Sequence, residues 1–305
     1  MVIRWHDAWQ DALYGTDGFF VREQPADHFR TSVHASVRFA EAVLVLARSY
    51  GLSHVVDLGA GSGELLVALD LIAGDELTLD GVDLRGRPED LPDRIGWAGV
   101  LPDRVEGLLV ANELLDDVPC EVVERDTDGA VRVVLVDPAT GEETLGDPVG
   151  PDALAWLARW WPLDRAGERA EVGSTRDDLW RDAVRRVEHG VAVTIDYGHL
   201  RDDRPAFGGL RAYRAGAETD VRPDGTCDVT APVAVDALAD AVDGRVRRQR
   251  DVLRDLGVDG TRPPLESART DPVGYLHALQ RASEGAELTA PGGLGDFWWV
   301  LTEHP

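Results

Sequence analysis

Carboxylates and one amide are crowded into a short segment of the chain. Residues 110–121 read VANELLDDVPCE, with Glu113 and Asp116 close behind Asn112, the only asparagine among the 305 residues. Two carboxylates can hold a guanidinium by charge-assisted hydrogen bonds and polarise one of its nitrogens. Asn112 offers both a donor and an acceptor without charge, which suits the amino-acid part of a ligand. It could also cap a helix, but Ser, Thr or Asp would cap equally well, so ligand binding is favoured.

A glycine-rich turn precedes this segment. Residues 57–63 read DLGAGSG, between an apolar run and a helical pattern. Backbone without side chains at a strand-to-helix turn lets a nucleoside approach closely. The third glycine comes one residue too early for the dinucleotide fingerprint G-x-G-x-x-G. The pattern acidic-x-G-x-G-x-G is typical of enzymes that bind S-adenosyl-L-methionine (SAM), which is therefore the predicted cofactor, with NAD as the main alternative.

An acid at the end of the next predicted strand completes the cofactor prediction. Asp83 lies 26 residues after Asp57, where a carboxylate can accept hydrogen bonds from both ribose hydroxyls. The predicted cofactor-binding residues are Asp57, Gly59, Gly61, Gly63, Asp83 and Asn112.

The order of the predicted elements is that of a doubly wound α/β fold. Residues 1–50 look helical and precede the core. The predicted strands are 54–59, 77–84, 95–100, 107–111, a hairpin of 120–126 and 130–137, 191–198, 245–249 and 297–302; the predicted helices after residue 63 include 151–161, 174–189, 232–242, 250–257 and 272–284. We predict one domain, 1–305, with an N-terminal helical extension (1–53), a Rossmann core (54–200) and a section that completes the sheet (201–305).

Ligands of open α/β sheets bind at the carboxyl ends of the strands. We therefore expect Gly59–Gly63, Asp83, Asn112–Asp116 and Asp196–Gly198 to converge on one crevice. Methyl transfer from a sulfonium is an in-line displacement in which alignment supplies most of the catalysis. The predicted catalytic residues are Glu113, Asp116, Asp196 and Tyr197.

The residues from 199 to 230 predict a long functional loop. Arg211, Tyr213 and Arg214 are its candidate substrate-binding residues, and Asp228 with Thr230 is expected to pin it. For each of these residues a loop-stabilising hydrogen bond is an equally good interpretation.

Composition limits the classes of partner. The formal charge of −25 disfavours a nucleic acid and favours a cationic substrate. Two cysteines and the scattered histidines match no ligand spacing, so no metal site is predicted. The longest apolar stretch is too short for a membrane helix, and no signal peptide is recognisable, so a cytoplasmic protein is expected.

Several motifs together resemble the MidA family of SAM-dependent methyltransferases, which includes a mitochondrial complex I assembly factor. They are VVDLGAGSGELL (55–66), VANELLDDVP (110–119) and TIDYG (194–198), with ALYGTDGFF (12–20), FRTSVHAS (29–36), GGLRAYR (208–214), DGTCDVTA (224–231) and residues 249–257. The resemblance implies a seven-stranded SAM-binding sheet with an N-terminal segment and insertions. It also implies transfer to protein arginine, with the segment that begins at Asn112 beside the SAM methyl group.

Two positions depart from the family pattern. Pro232–Val235 stands where relatives often have H-V-D-F, and Gly216 where they often have His.

The predicted function is protein arginine N-methylation. The predicted partner is a protein substrate, and a homo-oligomer is possible. The alternatives are a SAM-binding assembly or scaffold protein without turnover, and a small-molecule methyltransferase.

Overall fold

A computed structural model describes residues 1–22 and 37–305 of the chain. The stretch FRTSVHAS at 29–36 lies outside the described residues. The chain divides into two compact units: the inserted unit, Met1–Phe29, Glu113–Arg185 and Gly198–Gly244, and the sheet unit, Arg30–Asn112, Arg186–Tyr197 and Arg245–Pro305. The consecutive sections predicted above do not match this division, since both units are assembled from separated segments. The single domain stays a prediction.

The helices follow the predicted order. In chain order they are α1 (Trp5–Tyr14), α2 (Phe19–Arg22), α3 (Val37–Ser49), α4 (Glu64–Ala73), α5 (Pro151–Trp160), α6 (Ser174–Arg185), α7 (Val235–Val242), α8 (Gln249–Asp255), α9 (Ser267–Thr270) and α10 (Pro272–Leu288). No helix in the described part of the chain has the length and apolar character that a bilayer span requires.

The strands include those predicted and several others. They are β1 (Ile3–Arg4), β2 (His54–Leu58), β3 (Thr78–Val82), β4 (Gly96–Ala98), β5 (Val105–Asn112), β6 (Glu121–Arg125), β7 (Val131–Val136), β8 (Glu143–Pro148), β9 (Arg169–Val172), β10 (Val187–Asp196), β11 (Gly198–His199), β12 (Arg211–Arg214), β13 (Ala217–Thr219), β14 (Asp228–Thr230), β15 (Val233–Ala234), β16 (Arg245–Arg248) and β17 (Trp298–His304).

The sheet unit contains a seven-stranded sheet of order β16-β17-β10-β5-β2-β3-β4. Strands β10, β5, β2, β3 and β4 run parallel to one another, and β17 runs antiparallel to its two neighbours, β10 and β16. The predicted Rossmann-like α/β fold is confirmed. The central strands are continuous apolar runs because both of their faces are buried, as in other parallel sheets.

Helices α3 and α4 contribute to the core of the sheet unit. Phe39 of α3 and Leu65 and Leu69 of α4 are buried in one apolar cluster with Val110 and Trp299. Close packing also explains a glycine in β3. A Cβ on Gly81 would lie 2.5 Å from the Trp97 ring, so a larger residue there would displace the indole.

The inserted unit is mainly antiparallel. Strands β1, β7, β6 and β9 form a sheet in that order, with β8 paired to β7. The predicted hairpin is confirmed as β6 and β7. Strands β13, β12 and β14 form a separate three-stranded sheet, and β11 pairs with β15.

The prediction of a long loop at 199–230 was wrong in part, because that region contains the three-stranded sheet. These strands are only three or four residues long, too short for an alternating pattern to stand out. Helix α6 ends at Arg185, earlier than predicted, and the following residues begin β10. Strand β8 was missed because its sequence, ETLGDP, has no apolar alternation and is mostly exposed.

Candidate functional site

The carboxyl ends of four parallel strands meet at one edge of the sheet unit. Asp57 on β2 is opposite Val110 on β5, and Ile195 on β10 is opposite Asn112. The registers therefore bring the ends of these strands level with one another. Asp83 directly follows β3, which pairs with β2. The cofactor residues predicted from the sequence thus lie at the same edge, where open α/β sheets bind ligands.

The glycine turn at this edge has the predicted backbone freedom. Gly59, Gly61 and Gly63 have φ angles of 77°, 63° and 86°, in the left-handed region that side chains disfavour. At Gly63 space is limiting as well, since a Cβ would lie 2.6 Å from a methyl carbon of Leu91. The turn passes directly into α4 at Glu64.

The N–H groups of the turn already have acceptors. Those of Gly59 and Ala60 donate to the carbonyl oxygen of Val82, at 2.8 and 3.2 Å, and that of Gly63 to the carbonyl oxygen of Ala60 at 2.8 Å. The Gly61 N–H donates to Asp83 at 2.9 Å, and the Ser62 N–H to the Glu64 carboxylate at 3.2 Å. A pyrophosphate, which needs such donors, would have to break these bonds.

Asp83 is nearly saturated with donors. Besides the Gly61 N–H on Oδ2, its Oδ1 accepts from the backbone N–H of Arg85 at 2.9 Å and from the Arg85 guanidinium at 3.2 Å. A carboxylate has about four lone-pair positions. A ribose would therefore compete with the Arg85 side chain for Oδ1, a competition that the sequence did not reveal.

Three carboxylates surround the turn. Asp57 is 4% exposed, and burial, with the charges of Glu64 and Asp83 adding to it, raises its pKa from 3.8 to about 8. Arg85 balances the charge of Asp83, but the raised pKa of Asp57 shows that the acids around the turn still repel a further negative charge.

These groups fit SAM and do not fit NAD. SAM brings a sulfonium and an ammonium against a single carboxylate, so it is a net cation. A cation would relieve the repulsion among Asp57, Glu64 and Asp83, whereas a pyrophosphate would add two negative charges to it. Gly61 leaves open backbone for close approach, because a Cβ there would meet only Glu64 and Arg85, at 3.4 and 3.6 Å.

Asn112, Asp196 and Tyr197 are at the same edge of the sheet unit. Asn112 is the last residue of β5, and the N-cap of the following 3₁₀ turn is Leu114, so the alternative that Asn112 caps a helix was wrong. Asp196 is buried and accepts from the N–H of Tyr197 at 2.9 Å. The Tyr197 ring lies 6.0 Å from that of Phe297.

Glu113 and Asp116 belong to the inserted unit. Glu113 has a φ of 52°, the left-handed conformation, which is uncommon for a residue with a side chain. Such strain persists only where the surroundings hold the residue in place, and it is typical of functional sites. Asp116 is 8% exposed, and its Oδ2 accepts from the Thr230 hydroxyl at 2.8 Å. Convergence of the two groups of predicted residues on one crevice stays a prediction.

A buried guanidinium that the sequence did not suggest orders the backbone around Asp116. Arg176 on α6 is 2% exposed and donates to the carbonyl oxygens of Asp116 at 2.7 Å, Val118 at 3.0 Å and Ala231 at 3.0 Å. It also lies over the Trp9 ring, 5.5 Å from the centroid. Nothing in the charged sequence of α6 distinguishes this arginine from those that lie in solvent.

The three candidate substrate residues on β12 do not share one face. Arg211 pairs with Thr230 and Tyr213 with Asp228, and opposite residues of an antiparallel pair project to the same side. Arg214 follows Tyr213 on the strand and projects to the other side, and the role of the three residues in substrate binding stays a prediction. Arg211 is half-exposed and lies 3.9 Å from Glu218.

Comparison with solved structures confirms the fold. A COG1565 superfamily member from Burkholderia thailandensis, bound to S-adenosyl-homocysteine, is similar with a TM-score of 0.81 and 23% identity, over 99% of this chain and 88% of that one. The native structure of an uncharacterized COG1565 superfamily protein from the same organism is similar with a TM-score of 0.81 and 23% identity. The match covers 99% of this chain and 87% of that one. A comparison with curated proteins finds no match.

The fold and the acid-ringed glycine turn define a SAM-dependent methyltransferase, with SAM as its cofactor. The family model described as "Putative S-adenosyl-L-methionine-dependent methyltransferase" matches residues 71–251, more than half of the chain, and the chain belongs to that family. The matched part includes Asp83, Asn112–Asp117, Arg176 and Asp228.

Proposed function

We propose that this methyltransferase is of the MidA type and transfers the methyl group to an arginine side chain of a protein. The proposal rests on one observation, the pair of carboxylates that directly follows β5. Glu113 is held in a strained backbone conformation. Asp116 is buried, and its carboxylate accepts a hydrogen bond from the Thr230 hydroxyl. Two carboxylates at fixed positions suit a planar guanidinium, which presents its donors as a fork.

SAM supplies an electrophilic methyl group on a sulfonium. The residues of the chain would then have two tasks. Asp57, Asp83 and the glycine turn hold the cofactor, while Glu113 and Asp116 hold the acceptor and orient one nitrogen. Orientation matters because the guanidinium lone pairs are delocalised and poorly nucleophilic unless one nitrogen is polarised. The net charge of −25 additionally attracts basic protein segments.

Transfer of a labelled methyl group tests this proposal. The protein is incubated with SAM that carries tritium in its methyl group and with a cell lysate, and proteins are separated from low-mass compounds. Protein is then hydrolysed and its amino acids are resolved. We expect the label in methylated arginine. Label confined to the low-mass fraction would refute protein methylation and support a small-molecule acceptor.

Two variants provide the controls. Asp83→Ala is expected to weaken SAM binding and so reduce the label. Glu113→Gln is expected to keep SAM affinity within about twofold and to lose transfer, since it keeps the side-chain shape and removes the charge. SAM binding by the wild type without any labelled product would instead favour an assembly protein that has lost turnover.

A further inference from the structure

One face of the small sheet in the inserted unit carries polar groups. Asp228 and Thr230 are alternate residues of β14, so they project to the same side, and Tyr213 is opposite Asp228. Val229, between them, is buried on the other side in a cluster with Trp9. The Trp9 indole donates to the carbonyl oxygen of Val229 at 2.6 Å. This packing determines which face of β14 presents the two polar side chains.

Asp116 lies against this polar face. Its carboxylate accepts from the Thr230 hydroxyl at 2.8 Å, and its carbonyl oxygen accepts from the Ala231 N–H at 3.1 Å. Asp116 and Asp228 are 8% and 5% exposed. Two carboxylates that share a poorly solvated region cannot both ionise easily. Burial, and then the charge of Asp116, raises the pKa of Asp228 well above its ordinary value.

An independent feature of Asp228 points to a ligand. Its Oδ1 is buried and has no hydrogen-bond partner among residues 1–22 and 37–305. Buried polar atoms in folded proteins nearly always have a partner, and each exception needs an explanation. Within the described part of the chain, no hydrogen bond of the Asp228 Oδ1 explains its burial as structural, in contrast to Glu171, whose two oxygens accept from the Gly209 N–H at 3.0 Å.

The nearby cation Arg176 has a different role. It donates to carbonyl oxygens at Asp116, Val118 and Ala231, and so determines the position of the backbone on both sides of the pair. We propose that Asp228 is a third carboxylate of the acceptor site, in addition to Glu113 and Asp116, and that Asp116 and Asp228 together bind the guanidinium of the methyl acceptor. This inference rests on the proposed function and adds a residue for which the sequence suggested only a role in pinning a loop.

The pair also provides a destination for the proton that methyl transfer releases. Binding of the guanidinium cation favours the ionised form of Asp228, so a proton held there leaves to solvent and the cation takes its place. In the transfer the bond from methyl carbon to sulfur breaks, and its electron pair stays on sulfur. The new bond from carbon to nitrogen forms, and the N–H proton of that nitrogen passes to Asp228. The product remains a guanidinium cation, so charge and atoms balance.

Binding of methylguanidinium in the presence of S-adenosyl-homocysteine tests the inference without turnover. Asp228→Asn keeps the shape of the side chain and removes its charge, and we expect it to weaken methylguanidinium binding at least tenfold. The control is Asp220→Asn, an exposed aspartate on the same segment, which should bind like the wild type. Unchanged affinity in Asp228→Asn would overturn the inference.

A kinetic measurement separates this inference from the proposed function. With a peptide that the wild type methylates on arginine, Asp228→Asn should lower kcat/KM at least 100-fold and leave the Kd for SAM within twofold. Wild-type kcat/KM in the variant would overturn the role of Asp228 while arginine methylation stands. Absence of arginine methylation by the wild type would overturn the proposed function itself. If Asp228→Asn does not fold, Asp228→Ser provides the same comparison with a smaller side chain.

Discussion

Binding of SAM should take a proton away from Asp57. In the free protein, burial and then the neighbouring acids raise the pKa of this carboxyl to about 8, so about nine-tenths of the molecules hold the proton at pH 7. A bound cation favours the carboxylate. Ionising Asp57 then costs about 1.4 kcal/mol at pH 7 and about 2.7 kcal/mol at pH 6, since one pKa unit corresponds to about 1.4 kcal/mol. The Kd for SAM should therefore fall about tenfold for each unit by which the pH is raised toward 8, and it should level off above pH 8.

Isothermal titration of SAM into the protein at pH 6, 7, 8 and 9 measures this dependence. Asp57→Asn is the matched control, because it keeps the side-chain shape and cannot ionise. The ammonium of SAM also titrates near pH 8, but it does so equally with both proteins. As the pH is lowered below 8, the wild type should lose about tenfold more SAM affinity per pH unit than Asp57→Asn does. At pH 7, heats measured in two buffers should show about 0.9 proton released per SAM bound.

Two results would refute this reasoning. The first is the same pH dependence of the Kd, within twofold, in wild type and Asp57→Asn. The second is SAM binding without proton release at pH 7.

The ligand-free protein offers a further check. Its folded state holds the proton and the unfolded chain, with the pKa at 3.8, does not. Asp57 should therefore contribute a loss of stability as the pH rises from about 4 to about 8, and Asp57→Asn should make the fall in stability smaller than in the wild type.

Three further predictions concern single side chains. Asp83→Ala should raise the Kd for SAM about 10- to 100-fold, the value of one or two hydrogen bonds to a charged group, and an unchanged Kd in isothermal titration would contradict the ribose assignment. Glu113→Gly should be about 1 kcal/mol more stable to urea than Glu113→Ala, because glycine tolerates the left-handed φ, while both lose transfer; equal stability would argue against strain. Arg176→Met should cost about 3–5 kcal/mol by leaving buried carbonyl oxygens without donors, whereas Arg159→Met, which breaks an exposed ion pair with Asp240, should cost less than about 1 kcal/mol.

The parts of the fold that the sequence predicted well are those with local signals. Strand β2, the glycine turn and α4 follow one another within about twenty residues, and apolar runs and glycine spacing mark each boundary. Asp83 was found for the same reason, since it directly follows β3. The missed strands β8 and β9 lack such signals, because they are formed by pairing with distant segments rather than by their own periodicity.

The candidate acceptor site was only half predictable. Glu113 and Asp116 stand out in a short acidic segment, but Asp228 comes 112 residues after Asp116, and no pattern in the chain associates the two. Arg176 is one of several arginines on a charged helix. Only the structure shows that it is buried and that its guanidinium donates hydrogen bonds to backbone carbonyl oxygens. Likewise, only the structure shows that residues 211–214 form a strand, which places Arg214 and Tyr213 on opposite faces.

By itself, the sequence determined the class of fold and the cofactor. Both depend on short-range features: the order of apolar strands and helices, three glycines with positive φ, and acids at the ends of neighbouring strands. The tertiary structure alone decided that Asp116 and Asp228 are both buried, and that burial raises the pKa of Asp57 and of Asp228. Those properties depend on burial and on distances between residues far apart in the chain, because a charge in a poorly solvated region is governed by its neighbours in space.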